Sequence, residues 1–169
     1  MTAVRARSLA VDLVPVLAFA GLTAIASQFS VHLWPVPITL QTTAVLASGL
    51  MLGARRGALS QATYLAMGAA GMPVFAELKF GPFWMFPTGG YLLAFVLVAA
   101  LVGAAKERWQ GWRLGAAILG SNLVLLAIGT AWLSLYLGKA SWMTGFVPFL
   151  PGAVIQSLAA WVLFRATKR

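Results

Sequence analysis

Apolar stretches near membrane-crossing length recur along this chain, and its basic residues fall almost entirely in every second gap between them. Few architectures tolerate that pattern. At 61% hydrophobic and 9% charged residues, with a mean hydropathy of +0.89, the chain is too apolar for a soluble domain of its size. The predicted fold class is an all-α integral membrane protein, one six-helix domain over 1–169, with helices at 9–28, 38–53, 57–71, 88–105, 114–137 and 149–165. The first run contains Ala24-Ile25-Ala26, which resembles a signal-peptide cleavage site. A retained helix is preferred, because the run approaches the ~20 residues of a span and further spans follow. The second and third segments are short for a hydrocarbon core of about 30 Å, so they are expected in a thinned or protein-shielded zone.

The charge pattern orients the bundle. With six spans both termini share a side, and that side collects Arg5, Arg7, Arg55, Arg56, Lys106, Arg108, Arg113, Arg165, Lys168 and Arg169, leaving Lys79 and Lys139 opposite. The positive-inside rule then predicts N-in and C-in in the cell membrane. A net charge of +9 raises nucleic acid as a partner, but the cations sit in inter-helix gaps rather than along one helical face, so no nucleic-acid role is expected.

In this orientation the second, fourth and sixth helices begin at the outer face, each near prolines: Trp34-Pro35-Val36-Pro37, Pro87-Thr88-Gly89-Gly90-Tyr91 and Pro148-Phe149-Leu150-Pro151-Gly152. Thr88 is a candidate N-cap, and Gly89 and Gly90 in the first turn leave amides uncovered for a ligand oxygen at the positive end of the helix dipole. Gln41, Tyr91 and Gln156 lie at similar depth. A binding site between three helix starts and a set of merely structural outer turns are both consistent with this geometry. The loop 74–86 holds Phe75, Phe80, Phe83, Trp84 and Phe86 with Glu77 and Lys79, suiting either a lid or an interfacial aromatic belt. Ala20 and Ala24, beside Gly21, form a small-residue stripe for close helix approach. Asn122 and Gln61 read as packing or water contacts.

Chemistry is constrained by what is missing. The three acidic residues, Asp12, Glu77 and Glu107, form no pair within the spans, and general acid–base catalysis lacks its parts. The lone His32 and the absence of cysteine leave no metal cluster, and no G-x-x-x-x-G-K-[ST] loop is present. An enzyme is not expected, nor a cofactor in this chain. Uphill transport would draw its energy from another chain.

The ordered set Trp34-Pro35-Val36-Pro37-Ile38-Thr39-Leu40-Gln41-Thr42, Leu52-Gly53-Ala54-Arg55-Arg56-Gly57-Ala58, Gly71-Met72-Pro73-Val74-Phe75-Ala76, Pro87-Thr88-Gly89-Gly90-Tyr91-Leu92 and Phe149-Leu150-Pro151-Gly152 resembles the BioY family, over nearly the whole chain. Members are biotin-binding S-components of energy-coupling-factor transporters. The resemblance implies an outward-facing biotin pocket, a transmembrane coupling protein and two cytoplasmic ATPases as partners, and docking of the Ala20 and Ala24 stripe on the coupling protein. Depth and resemblance together place Trp34, Thr39, Gln41, Thr88, Gly89, Gly90, Tyr91, Phe149, Gly152, Ala153 and Gln156 around the ligand.

Where the family usually carries an Asp and, three residues on, a Lys, this chain has Ala153 and Gln156. Charge-assisted hydrogen bonds of about 1.5–3 kcal/mol each are thereby removed, although losing both leaves no buried charge unpaired. Lys79 is a second candidate for the missing cation, against a solvated pair with Glu77. The alternatives are an S-component for another small vitamin or a biotin precursor, and a non-transporting membrane interaction protein using the Ala20 and Ala24 face.

Overall fold

The structure, a computed structural model, describes residues 2–31 and 36–167. Among these residues it is built from six helices, α1 (Thr2–Gln28), α2 (Gln41–Leu52), α3 (Ala54–Ala69), α4 (Gly89–Arg108), α5 (Gly111–Leu137) and α6 (Leu150–Ala166). A two-residue ribbon, β1 (Ser30–Val31) with β2 (Ile38–Thr39), joins α1 to α2. Short 3-10 and π turns connect α3 to α4 and α5 to α6.

Several helix limits differ from the expected ones for local reasons. Residues 38–40 are not helical: Ser30 pairs with Thr39 and Val31 with Ile38, so α2 starts only at Gln41. The β-branched Val31, Ile38 and Thr39 favour this extended pairing. The basic connection expected at 54–56, between helices ending at 53 and starting at 57, shrinks to the single residue Gly53. Gly53 turns the chain alone at φ +82°, a conformation open to glycine, and Arg55 and Arg56 already lie in the first turn of α3. α3 stops at Ala69, two residues early, where Gly71 at φ +97° lets the Met72 N–H return to Met67 O (3.1 Å) as in a Schellman closure. α4 continues through Lys106-Glu107-Arg108 rather than ending at 105, and α5 begins at Gly111 rather than 114. α6 starts at 150, after a 3-10 turn at Val147–Phe149.

α4 is the centre of the bundle, packed against α2, α3 and α5, with Val98, Ala99 and Val102 fully buried. α2, about 18 Å long at 1.5 Å per residue, is too short to cross alone and lies among α1, α3, α4 and α6. The segments Gly89–Arg108, Gly111–Ala140 and Trp142–Ala166 are long and apolar enough to cross a membrane, and Leu13–Gln28 and Gln41–Leu52 are shorter apolar helices. α6 turns Val154, Ile155, Leu158, Val162 and Leu163 outward without covering them. So much exposed aliphatic surface suits lipid, not water, and the chain is a helical membrane protein.

Candidate functional site

A cavity of about 790 Å³ lies between the starts of α2, α4 and α6, the second half of α5 and the loop after α3. Its walls are apolar: Val36, Phe75, Phe80, Phe86, Leu92, Phe95, Leu125, Leu126 and Phe149 contribute. Thr39, Gln41, Thr42, Thr88, Tyr91, Asn122, Gly152, Ala153 and Gln156 add smaller and polar surface. A volume within the ~300–1,000 Å³ typical of small-molecule sites, with few polar groups on apolar walls, is suited to holding a compact organic ligand.

The polar groups form a chain that ties the elements together. Gln156 Nε2 donates to Thr39 O (2.8 Å), Thr39 Oγ1 to Gln41 Oε1 (3.0 Å) and Gln41 Nε2 to Tyr64 Oη (2.5 Å). Tyr64 Oη donates in turn to Val74 O (3.2 Å), which also accepts from Ser27 Oγ (2.8 Å). Gln28 holds the same loop, donating from Nε2 to Phe75 O (3.1 Å) and accepting from the Leu78 N–H (3.3 Å). A route of hydrogen bonds therefore runs from α6 through β2, α2 and α3 to the loop and α1. Each buried partner would be left unsatisfied if its neighbour moved, so the rim is held as one unit.

The aromatic loop does two things at once. Phe75, Phe80 and Phe86 line the cavity, with Phe75 edge-on to Tyr64, Phe83 and Phe86 at centroid distances of 5.5, 6.4 and 6.2 Å. Trp84 and Met85 face outward, as a belt would. At the loop's tip Glu77 (φ 62°) and Leu78 (φ 57°) are both left-handed, a conformation costing non-glycine residues about 1 kcal/mol or more each. Among the described residues Lys79 is the one formally charged side chain on the cavity wall, and its Nζ is 2.6 Å from Glu77 Oε2.

Of the residues singled out from the sequence, Thr39, Gln41, Thr88, Tyr91, Phe149, Gly152, Ala153 and Gln156 come together on this wall. Trp34 lies outside the described residues. Gly89 and Gly90 are corrected: neither lines the cavity, and the Gly89 N–H is already donated to Phe86 O (2.9 Å). A Cβ on Gly90 would overlap the Trp132 side chain, so that position is glycine for lack of room, not to expose an amide. Thr88 makes no side-chain cap.

Tyr91 presents its ring, not its hydroxyl: Oη donates to Gly145 O (2.7 Å) and sits 3.2 Å from Thr130 Oγ1. Ala20 and Ala24 are corrected as well. Ala20 is fully buried in the core and Ala24 is half-buried against it, so this stripe lets α1 approach its own neighbours.

Asn122 was set aside in the sequence and belongs to the site. Its Nδ2 donates to Ala153 O (3.0 Å) and Ser157 Oγ (3.2 Å), while Oδ1 accepts from no group among the described residues on a side chain that lines the cavity. The signal was periodicity: Asn122, Leu125, Leu126, Gly129, Thr130 and Leu133 recur at helical spacing on the buried face of α5. Gln61, by contrast, is buried between α1, α2 and α3 beside Thr23, Ser48 and Ser60 and takes no part in the cavity.

Comparison with known proteins places this geometry among relatives. The model of the BioY family matches residues 1–169. A biotin transporter BioY of Thermotoga maritima is 35% identical over 156 residues, covering 89% of this chain and 92% of the relative. A probable biotin transporter BioY of Pyrococcus horikoshii is 34% identical over 147 residues, covering 86% and 88%. The crystal structure of the S-component for biotin from an ECF-type ABC transporter superposes with a TM-score of 0.83 at 24% identity, over 96% of this chain and 94% of that one. That likeness establishes the shared fold.

Proposed function

The chain belongs to the BioY family, and on that premise we propose that it is a biotin-binding S-component that captures biotin in the 790 Å³ cavity. The observation that carries the reading is this cavity's composition: apolar walls for the thioether ring and aliphatic tail, and neutral hydrogen-bonding groups for the ureido head and carboxylate. The protein is a transport subunit and not an enzyme. Gln41, Gln156 and Asn122 provide the polar contacts, and the ring of Tyr91 packs against the ligand. Asn122 Oδ1 is an acceptor for a ureido N–H, beside the position where the family pattern has a carboxylate and this chain has Ala153. The six helices form one membrane-spanning bundle, with the short α2 shielded inside it and both termini in the cytoplasm, a reading supported by the distribution of Lys and Arg. Delivery is driven by a transmembrane coupling protein and two cytoplasmic ATPases, supported by the lack of a phosphate loop in this chain.

Isothermal titration of the purified protein with biotin tests the reading. Saturable binding is expected, and no heat at millimolar biotin would remove biotin as the ligand. Biotin methyl ester as a competitor reports whether a carboxylate is read at all. Equal competition favours the second reading, an S-component for a neutral vitamin or precursor, which the absence of any cation but Lys79 from the described wall supports.

Three variants refine the site. Ala153→Asp combined with Gln156→Lys is expected to tighten biotin binding at least tenfold, since both positions line the cavity and charged partners make stronger hydrogen bonds. Ala153→Asp alone is expected to lower the unfolding temperature, because it buries a carboxylate without a cation. Lys79→Ala is expected to change affinity less than threefold. Its ammonium is exposed and already paired with Glu77, and such surface pairs contribute about 0–1 kcal/mol. A tenfold loss in the same titration would instead put the ligand carboxylate at Lys79.

A further inference from the structure

At the opposite end of the bundle lies a second hollow that plays no part in the binding cavity. α4 ends at Arg108, α5 starts at Gly111, and α6 passes beside this turn. Trp109, Gln110, Leu114, Trp161, Phe164 and Arg165 enclose about 290 Å³ there. Cations gather at this end by element: Lys106 and Arg108 in the last turn of α4, Arg113 in the first turn of α5 and Arg165 in the last turn of α6. Among the described residues the carboxylate next to this turn is Glu107, and its Oε1 lies 3.6 Å from where a Cβ on Gly53 would stand, at the α2–α3 elbow.

Three of the cations rest on rings instead of on carboxylates. Lys106 Nζ is 5.7 Å from the Phe164 centroid, Arg113 Cζ 5.9 Å from that of Trp112 and Arg165 Cζ 5.0 Å from that of Trp161. None of the three is ion-paired among the described residues. A guanidinium packed on a ring face keeps its N–H edge open, and that edge matches two oxygens of a phosphate. Trp112 is 76% exposed and Trp109 also projects from the helix ends, the depth at which tryptophan meets lipid headgroups. From the hollow, the uncovered Leu158, Val162 and Leu163 of α6 continue as an apolar surface.

We propose that this groove holds the headgroup of an anionic phospholipid, its phosphate on Arg165 and Arg113 and one acyl chain along the outer face of α6. The combination of unpaired cations with a contiguous aliphatic stripe selects a lipid over a free anion or an acidic protein segment, neither of which has a use for the stripe. The site is independent of the biotin cavity and requires only that the bundle sit in a bilayer.

Native mass spectrometry of delipidated protein in neutral detergent, titrated with phosphatidylglycerol or phosphatidylcholine, tests it. The wild type is expected to retain one phosphatidylglycerol at fivefold or more lower concentration than phosphatidylcholine. Arg113→Gln/Arg165→Gln should abolish that preference with an unchanged unfolding temperature, and Lys139→Gln, at the far end, should keep it. Arg165→Lys, which preserves charge, should retain part of it and serves if the double variant does not fold. The proposal is overturned if phosphatidylcholine is retained equally, if the double variant or Arg165→Gln keeps the preference, or if inorganic phosphate alone displaces phosphatidylglycerol at equal concentration.

Discussion

Gly129→Leu is expected to abolish measurable biotin binding and to destabilise the protein by about 1–3 kcal/mol, the usual cost of overpacking a filled core, or somewhat more. The Tyr91 ring lies directly on Gly129, where any Cβ would overlap the ring carbons. Tyr91 has little room to yield. Its hydroxyl is held by Gly145 O and Thr130, and its ring neighbours Phe149 at a 6.3 Å centroid distance. A larger residue at 129 therefore drives the ring into the cavity that it lines. Titration with biotin and thermal unfolding in detergent read the two effects. Gly120→Leu is the control, because a Cβ there meets nothing within 4 Å, and it should behave as wild type. Tyr91→Phe should bind biotin within threefold of wild type, since the lost hydroxyl contacts the π turn and not the cavity. Wild-type affinity in Gly129→Leu would show that the ring is not part of the ligand's wall.

Gln41→Leu carries the second large expectation, at least a tenfold loss of biotin affinity together with about 1–3 kcal/mol of stability. Gln41 is buried at the first turn of α2, lines the cavity and is the link at which the hydrogen-bond route passes from Thr39 to Tyr64. Leucine strips Thr39 Oγ1 of its acceptor and Tyr64 Oη of a donor. Tyr64→Phe separates tethering from ligand contact, because Tyr64 belongs to the route but not to the cavity wall. It should lose comparable stability but no more than threefold in affinity. Equal affinity losses in the two variants would make Gln41 a tether only.

These substitutions show what could be read before any coordinates. Proline, glycine and polar residues at the ends of apolar runs put helix starts at 38, 88 and 149, against 41, 89 and 150 in the structure, and Thr39, Gln41, Thr88, Tyr91, Phe149, Gly152, Ala153 and Gln156 do share one wall. Their individual orientations were another matter. Tyr91 looked like a polar ligand contact, yet its hydroxyl is consumed by Gly145, 54 residues away. Gly89 and Gly90 looked like open amides, yet the Gly89 N–H goes to Phe86 O and Gly90 is small to make room for the Trp132 side chain. The spacing of Ala20 suited packing inside the bundle as well as the docking role that the resemblance implied, and Ala20 is sealed inside. Each error concerns which neighbour fills a space, and local sequence holds no record of that.

Sequence by itself determined the medium and the class of structure, because hydropathy, charge placement and helix punctuation act over one segment at a time. It also carried the family pattern, through short motifs in a fixed order. Only the tertiary structure decided that Asn122 lines the cavity while Gln61 does not, and that the aromatic loop both lines the cavity and turns Trp84 and Met85 outward. The rotation of a helix about its axis is set by side chains far apart in the chain competing for the same volume, so it is decided by packing.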